Sequence, residues 1–197
     1  MLFRSVVRVC RGALDEGTRA LDNGALGIVV PHIDTAEEAR QMVHAFRFHP
    51  VGHRSTGGPS AQFGYRPPPP LEMQRVLNAE LLVIPMIETP LAVENAEAIA
   101  AVEGIDALLI GTNDLSLEMG IAGQIGHARI QDAYRKVGEA CARHKKVLAM
   151  GGVYDQEWAS RYIGMGARMI LAANDHGLLL EAATNRSKFI REVAAQA

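Results

Sequence analysis

IPMIETPLAVENAEAIAAVEGIDALLIGTNDLSLEMG, residues 84–120, decides the fold. It contains two apolar runs of strand length, 81–87 and 105–110, with a segment of helical spacing between them at 89–102. Pro90 suits the first turn of that helix, where its missing N–H breaks no hydrogen bond. A helix between two strands carries the chain back to its starting end, so the strands run parallel. Glu88 and Asp114 follow the two runs. They therefore emerge at one rim of the sheet.

The same alternation extends outward in both directions. Residues 5–9 (SVVRV) and 26–31 (LGIVVP) read as strands on the N-terminal side, and 147–150 and 169–172 on the C-terminal side. The continuous apolar character of 26–31 marks a strand buried on both faces. Helical spacing occupies 14–21, 130–144, 156–165 and 177 to the end, with a short helical turn at 115–119. Thr35 and Glu38 form a capping box for a helix running to Phe46. Residues 49–70 are rich in Gly, Pro and Ser and end in four prolines. A structureless stretch longer than about 15 residues is usually functional or disordered.

Six strands, each followed by a helix, predict an α/β fold with a parallel sheet. No GxGxxG follows the first strand and no GxxxxGK[ST] occurs, which removes the two commonest nucleotide-binding open sheets. Polar residues close several different strands instead: Arg8, His32, Glu88, Asn113 with Asp114, and Asn174 with Asp175. A (β/α) barrel builds its active site from such strand ends. A full barrel takes about 250 residues, roughly 30 per unit. The 197 residues therefore accommodate about six βα units, a partial TIM barrel formed as one domain over 1–197.

With 48% hydrophobic residues the chain can bury a sizeable core. A net charge of -2 argues against nucleic acid or an anionic membrane as partner. No apolar run approaches the roughly 18 residues that span a bilayer. Two distant cysteines, Cys10 and Cys141, give no disulfide framework, and a cytoplasmic location is expected.

Two carboxylates from neighbouring strand ends form a hard-oxygen site suited to Mg2+ or Mn2+. The same residue types also favour helix N-termini, so spacing leaves both readings of Glu88 and Asp114 open.

The wording around these acids resembles the HpcH/HpaI aldolase/citrate lyase family, whose fold is a TIM barrel of the pyruvate/phosphoenolpyruvate superfamily. The IET strand end, the GTNDLSLEMG segment, LDNGALGIVVPHIDTAEEAR (21–40) and GARMILAAND (166–175) carry the likeness. It extends from about Val6 to the C-terminus. The resemblance implies a class II pyruvate aldolase that cleaves or forms a C–C bond of a 2-keto-3-deoxy or 4-hydroxy-2-oxo acid through a pyruvate enolate, with an aldehyde as the second partner. It implies that Glu88 and Asp114 hold a divalent ion, Mg2+, Mn2+ or Co2+. Arg8, which closes the VVR strand, matches the arginine that binds the keto oxygen, and Asp22 the acid that orients a catalytic histidine. The backbone N–H groups of Asn113 and Asp114 would hold the pyruvate carboxylate. Arg54, in GHRSTGG, matches a glycine-rich loop over the site and suits an anionic substrate; bracing that loop is its alternative role. His32, after Pro31 at a strand end, either faces the site or packs.

The chain also departs from the pattern. The family's base histidine belongs to a loop before the VVR strand, and no Glu-His pair occurs here. A glutamine two residues before the family's metal Glu is Met86. Two alternatives follow: an acyl-CoA lyase of the citrate lyase β or malyl-CoA lyase kind, and an inactive truncated paralogue. Phosphoenolpyruvate phosphotransferases, which the IGTNDL wording echoes, require a later cysteine where this chain reads VLAMGG. The open edge of a partial barrel invites pairing, and family members form helix-exchanging dimers and hexamers, so a homo-oligomer is expected.

Overall fold

The computed structural model describes residues 6–57 and 60–195. Six parallel strands follow the order of the chain: β1 (Val7–Arg8), β2 (Gly27–Val30), β3 (Leu82–Ile87), β4 (Ala107–Gly111), β5 (Val147–Gly151) and β6 (Met169–Ile170). Each strand pairs with the next in parallel register. Among the described residues β6 does not return to pair with β1. The sheet is thus a curled part of a (β/α) barrel. Ser5, placed in the first strand by sequence, lies outside the described residues.

The helices are α1 (Leu14–Asp22), α2 (Ala36–Phe46), α3 (Pro70–Glu80), α4 (Pro90–Glu94), α5 (Ala96–Ala100), α6 (Thr112–Glu118), α7 (Ala128–Arg143), α8 (Gln156–Gly164) and α9 (Asp175–Ala194). Two differ from the sequence reading. The helix expected over 89–102 breaks at Asn95, which leaves helical ψ and donates its side-chain N–H to Asp34 O at 2.7 Å. The proline-rich stretch does not run as a loop into β3. Its last proline becomes the first residue of α3, which buries Met73 and Leu77 one turn apart.

The two faces of the sheet carry separate apolar clusters. Val29, Ile84, Met86, Leu109 and Ala149 alternate with the outward residues and pack together on the concave side. Ile28, Val30, Val83, Ile87, Leu108, Ile110 and Leu148 face the helices, meeting Phe46, Ile99, Val137 and Tyr134 among others. Residues paired in register share a face. Arg8 pairs with Val29, and Val29 with Ile84, so Arg8 belongs to the concave side. Two and four residues past Ile84, Met86 and Glu88 continue along that side.

Arg47 ties the N-terminal end of the sheet. Its buried guanidinium donates to Asn78 O, Leu81 O and Gly104 O and pairs with Asp106 at 2.5 Å. Asp106 in turn accepts from Val83 N at 2.6 Å. This braces the entries of β3 and β4 and leaves their exits free to be shaped by side chains. Among the described residues no helix is long and apolar enough to cross a membrane.

Candidate metal centre

Glu88 leaves β3 as the chain turns into α4. Capping of that helix is done by Thr89, whose hydroxyl accepts from Ala92 N at 3.0 Å and donates to Asp34 Oδ1 at 2.5 Å. Glu88 is thereby spared the cap. Its side chain runs inward and is only 1% exposed. The geometry needs Gly111 opposite it: a Cβ there would lie 2.6 Å from Glu88 Cγ and overlap the carboxylate. Gly111 was missed from sequence, although a glycine ending a strand signals a close approach.

Asp114 is in the first turn of α6, exposed, beside Glu88 across the rim. His32 completes the group. Its backbone N–H donates to Glu88 Oε2 at 2.9 Å, and its ring Nε2 lies 3.8 Å from the same oxygen. One ligand atom each from His32, Glu88 and Asp114 lie within 4.8 Å of one another. Burial pushes the Glu88 carboxyl above the usual carboxylate range; the His32 N–H opposes that push and the neighbouring Asp114 adds to it. A buried carboxylate beside a second carboxylate is costly without a cation. Two carboxylate oxygens and an imidazole are a donor set that fits a divalent ion. The residues fit.

The other sequence-derived positions divide into two groups. Asn113 is exposed at the second residue of α6, and Arg8 is exposed on the concave side, both on the face that holds Glu88. Asp22 and Arg54 are not brought to this rim. Asp22 ends α1, just before β2 begins, and Arg54 donates to its Oδ1 at 2.6 Å. Around them, Arg54 N bonds Arg47 O, and Gln62 Nε2 bonds Leu21 O and Ala25 O. These partners sit at the ends of α1 and α2 and the entry of β2, the opposite end of the sheet from Glu88. Helices of this fold run antiparallel to the strands, so a helix C-terminus arrives at the strand entries. That is why the GHRSTGG segment (52–58), whose Gly58 lies outside the described residues, folds under the sheet, with Arg54 stacked 4.8 Å from the Phe48 ring. His127 caps α7 and His144 pairs with Glu97, so neither serves this rim.

Comparison with known proteins identifies the family. The profile of the HpcH/HpaI aldolase/citrate lyase family matches residues 2–182. A 4-hydroxy-4-methyl-2-oxoglutarate aldolase of Hapsidospora irregularis is 42% identical over 166 residues, covering 82% of this chain and 61% of that protein. Another so named, from Chaetomium globosum, is 39% identical over 180 residues, covering 89% and 66%. The chain thus spans roughly two thirds or less of the length of these relatives. The crystal structure of an HpcH/HpaI aldolase from Desulfitobacterium hafniense superposes with a TM-score of 0.81 at 31% identity, covering 95% of this chain and 73% of the other. The chain belongs to the HpcH/HpaI aldolase/citrate lyase family.

Proposed function

We propose that the chain is a metal-dependent pyruvate aldolase, a carbon–carbon lyase that breaks or makes the C3–C4 bond of a 4-hydroxy-2-oxo or 2-keto-3-deoxy acid. The observation that carries the proposal is the convergence of Glu88 and Asp114, with His32, at the exits of β2, β3 and β4. Relatives whose names specify an aldolase of a 4-hydroxy-2-oxo acid support the substrate class.

In this reading Glu88 and Asp114 hold a divalent ion, which supplies Lewis-acid polarisation of a 2-oxo carbonyl. Arg8 offers a guanidinium on the concave side for the oxygen on which charge grows when the C3–C4 bond breaks. The first N–H groups of α6, at Asn113 and Asp114, lack intrahelical partners and donate to the substrate carboxylate. His32 fixes Glu88 through its N–H and presents its ring to the ion or substrate. Asp22 and Arg54 act as a brace between α1 and the following loop. A homo-oligomer fits α9, which buries none of its residues and presents Leu179, Leu180, Phe189 and Ile190 to solvent. A monodisperse monomer by light scattering would count against it.

The test is exchange of the pyruvate methyl group in deuterated water with Mg2+ or Mn2+, followed by NMR. Deuterium entering the methyl group with the parent chain, and not with Glu88→Gln, supports the proposal. Metal bound without exchange points to an inactive paralogue. A thermal shift with coenzyme A and none with pyruvate would favour an acyl-CoA lyase.

A further inference from the structure

We propose a separate ion site at the strand-entry end of the fold, where the imidazoles of His44 and His53 together chelate one ion of the Zn2+, Ni2+ or Cu2+ kind. It shares no residue with the Glu88–Asp114 centre and is tested independently of it.

Three observations carry it. The first is how the backbone pins the two residues together. Helix α2 ends at Phe46, so the carbonyl of His44 belongs to its last turn and has no partner within the helix. The chain turns at 49–51 and comes back along that helix end. There His53 N–H donates to His44 O at 2.9 Å, and Arg54 N–H to Arg47 O at 2.8 Å. Gly52 permits the return, because a Cβ at that position would overlap Val43 O and Arg47 O. The second is ring geometry. The two imidazole centroids are 4.6 Å apart, with planes tilted by 43°. An ion bonded to a ring nitrogen at about 2.0–2.1 Å sits about 3.2 Å from that ring's centroid. Two such ligands put their centroids about 4.5 Å apart at a right angle and about 5.2 Å apart at the tetrahedral angle. The rings already stand at the closer of these separations. The third is that both donors are free. Both residues are exposed, and among the described residues neither ring enters a hydrogen bond or an ion pair.

A pair of imidazoles suits Cu2+, Ni2+ and Zn2+, whereas Mg2+ takes oxygen ligands and would not be held. The backbone hydrogen bond and Gly52 set the rings side by side before the ion arrives. The second nitrogen then binds within a chelate and not by a separate encounter. The ion would tie the last turn of α2 to the residue that precedes Arg54. Two rings that merely touch would direct their nitrogens apart and share no ion.

The experiment is isothermal titration with Ni2+ of the parent chain and of His44→Gln, His53→Gln and Glu88→Gln, with circular dichroism as the check on folding. Both histidines are exposed, and glutamine is a good helix former, so neither substitution threatens the fold. The expected result is one Ni2+-binding event of the parent that persists in Glu88→Gln and weakens about tenfold or more in each histidine variant, because either loss breaks the chelate. Ni2+ should also raise the thermal midpoint of the parent and of Glu88→Gln, and not that of the histidine variants. A parent that binds no Ni2+ overturns the inference. So does a single histidine variant that keeps every binding event at parental affinity. Binding lost in Glu88→Gln and kept in both histidine variants places the ion at the other rim, which overturns the inference and leaves the Glu88–Asp114 centre standing.

Discussion

Gly111→Ala is the smallest change that tests how Glu88 is placed. The added methyl would begin 2.6 Å from Glu88 Cγ and 2.9 Å from Cδ, whereas ordinary contacts start near 3.4 Å. The carboxylate must therefore retreat by about 0.5–1 Å, several times the roughly 0.2 Å that metal–ligand distances tolerate. Retreat is hindered because Glu88 is enclosed. The overpacking costs about 1–3 kcal/mol, and displacement of a ligand by this much weakens metal binding about 10–100-fold. Gly151 provides a matched control. It is paired with Gly111 in register on the same face, yet a Cβ there would meet its nearest atoms at 3.6 Å. Isothermal titration with Mn2+ and thermal unfolding by circular dichroism should show Gly111→Ala impaired in both and Gly151→Ala close to the parent. If Gly111→Ala binds Mn2+ as tightly as the parent, Glu88 is not the ligand its position suggests.

Further outcomes follow from the same coordinates. Arg47→Ala strands Asp106 and three carbonyls at the sheet entries, and should cost about 3–5 kcal/mol in urea unfolding; a loss below about 1 kcal/mol would remove Arg47 from its bracing role. Thr89→Ala deletes the cap of α4 and the bond to Asp34, lowering stability by about 1–2 kcal/mol; an unchanged midpoint of unfolding would contradict it. Cys141 is buried, which pushes its thiol up to about 11, whereas Cys10 is exposed. Iodoacetamide at pH 8 should label Cys10 alone by mass spectrometry until the chain is unfolded. Glu97 is held below its ordinary value of 4.5 by Arg143, then by His144. A lowered folded value means this contribution is complete above about pH 4.5 and is lost as pH falls through the folded value. Glu97→Gln should flatten that part of the acid-unfolding curve and leave neutral pH behaviour unchanged apart from the lost pairing.

Much of the fold was legible because its signals are local. Strands β2 and β4 are buried along their length, which keeps 26–31 and 107–110 apolar, and the Thr35–Glu38 box forms as its spacing predicts. The helix α3 was hidden by the prolines before it, which read as a loop although the last of them opens a helix. The break at Asn95 depends on an acceptor, Asp34 O, supplied by a distant part of the chain. At the site, Glu88 and Asp114 were legible because parallel strands fix which end of the sheet a following residue reaches. The left-handed turn at His32 and the vacant space above Gly111 are relations between β2, β3 and β4. No single segment carries them. Asp22 and Arg54 were placed by likeness of wording. Their position at the strand entries follows from helix direction, and there Arg54 Nη2 pairs with Asp22 Oδ1.

Everything functional here depends on two carboxylates sharing one cation. Anomalous diffraction from crystals soaked in Mn2+ tests this directly. A peak within about 2.0–2.6 Å of a Glu88 oxygen and an Asp114 oxygen, absent in Glu88→Gln, is the predicted result. A peak bound elsewhere, or no peak at saturating Mn2+ with both side chains ordered, would contradict it.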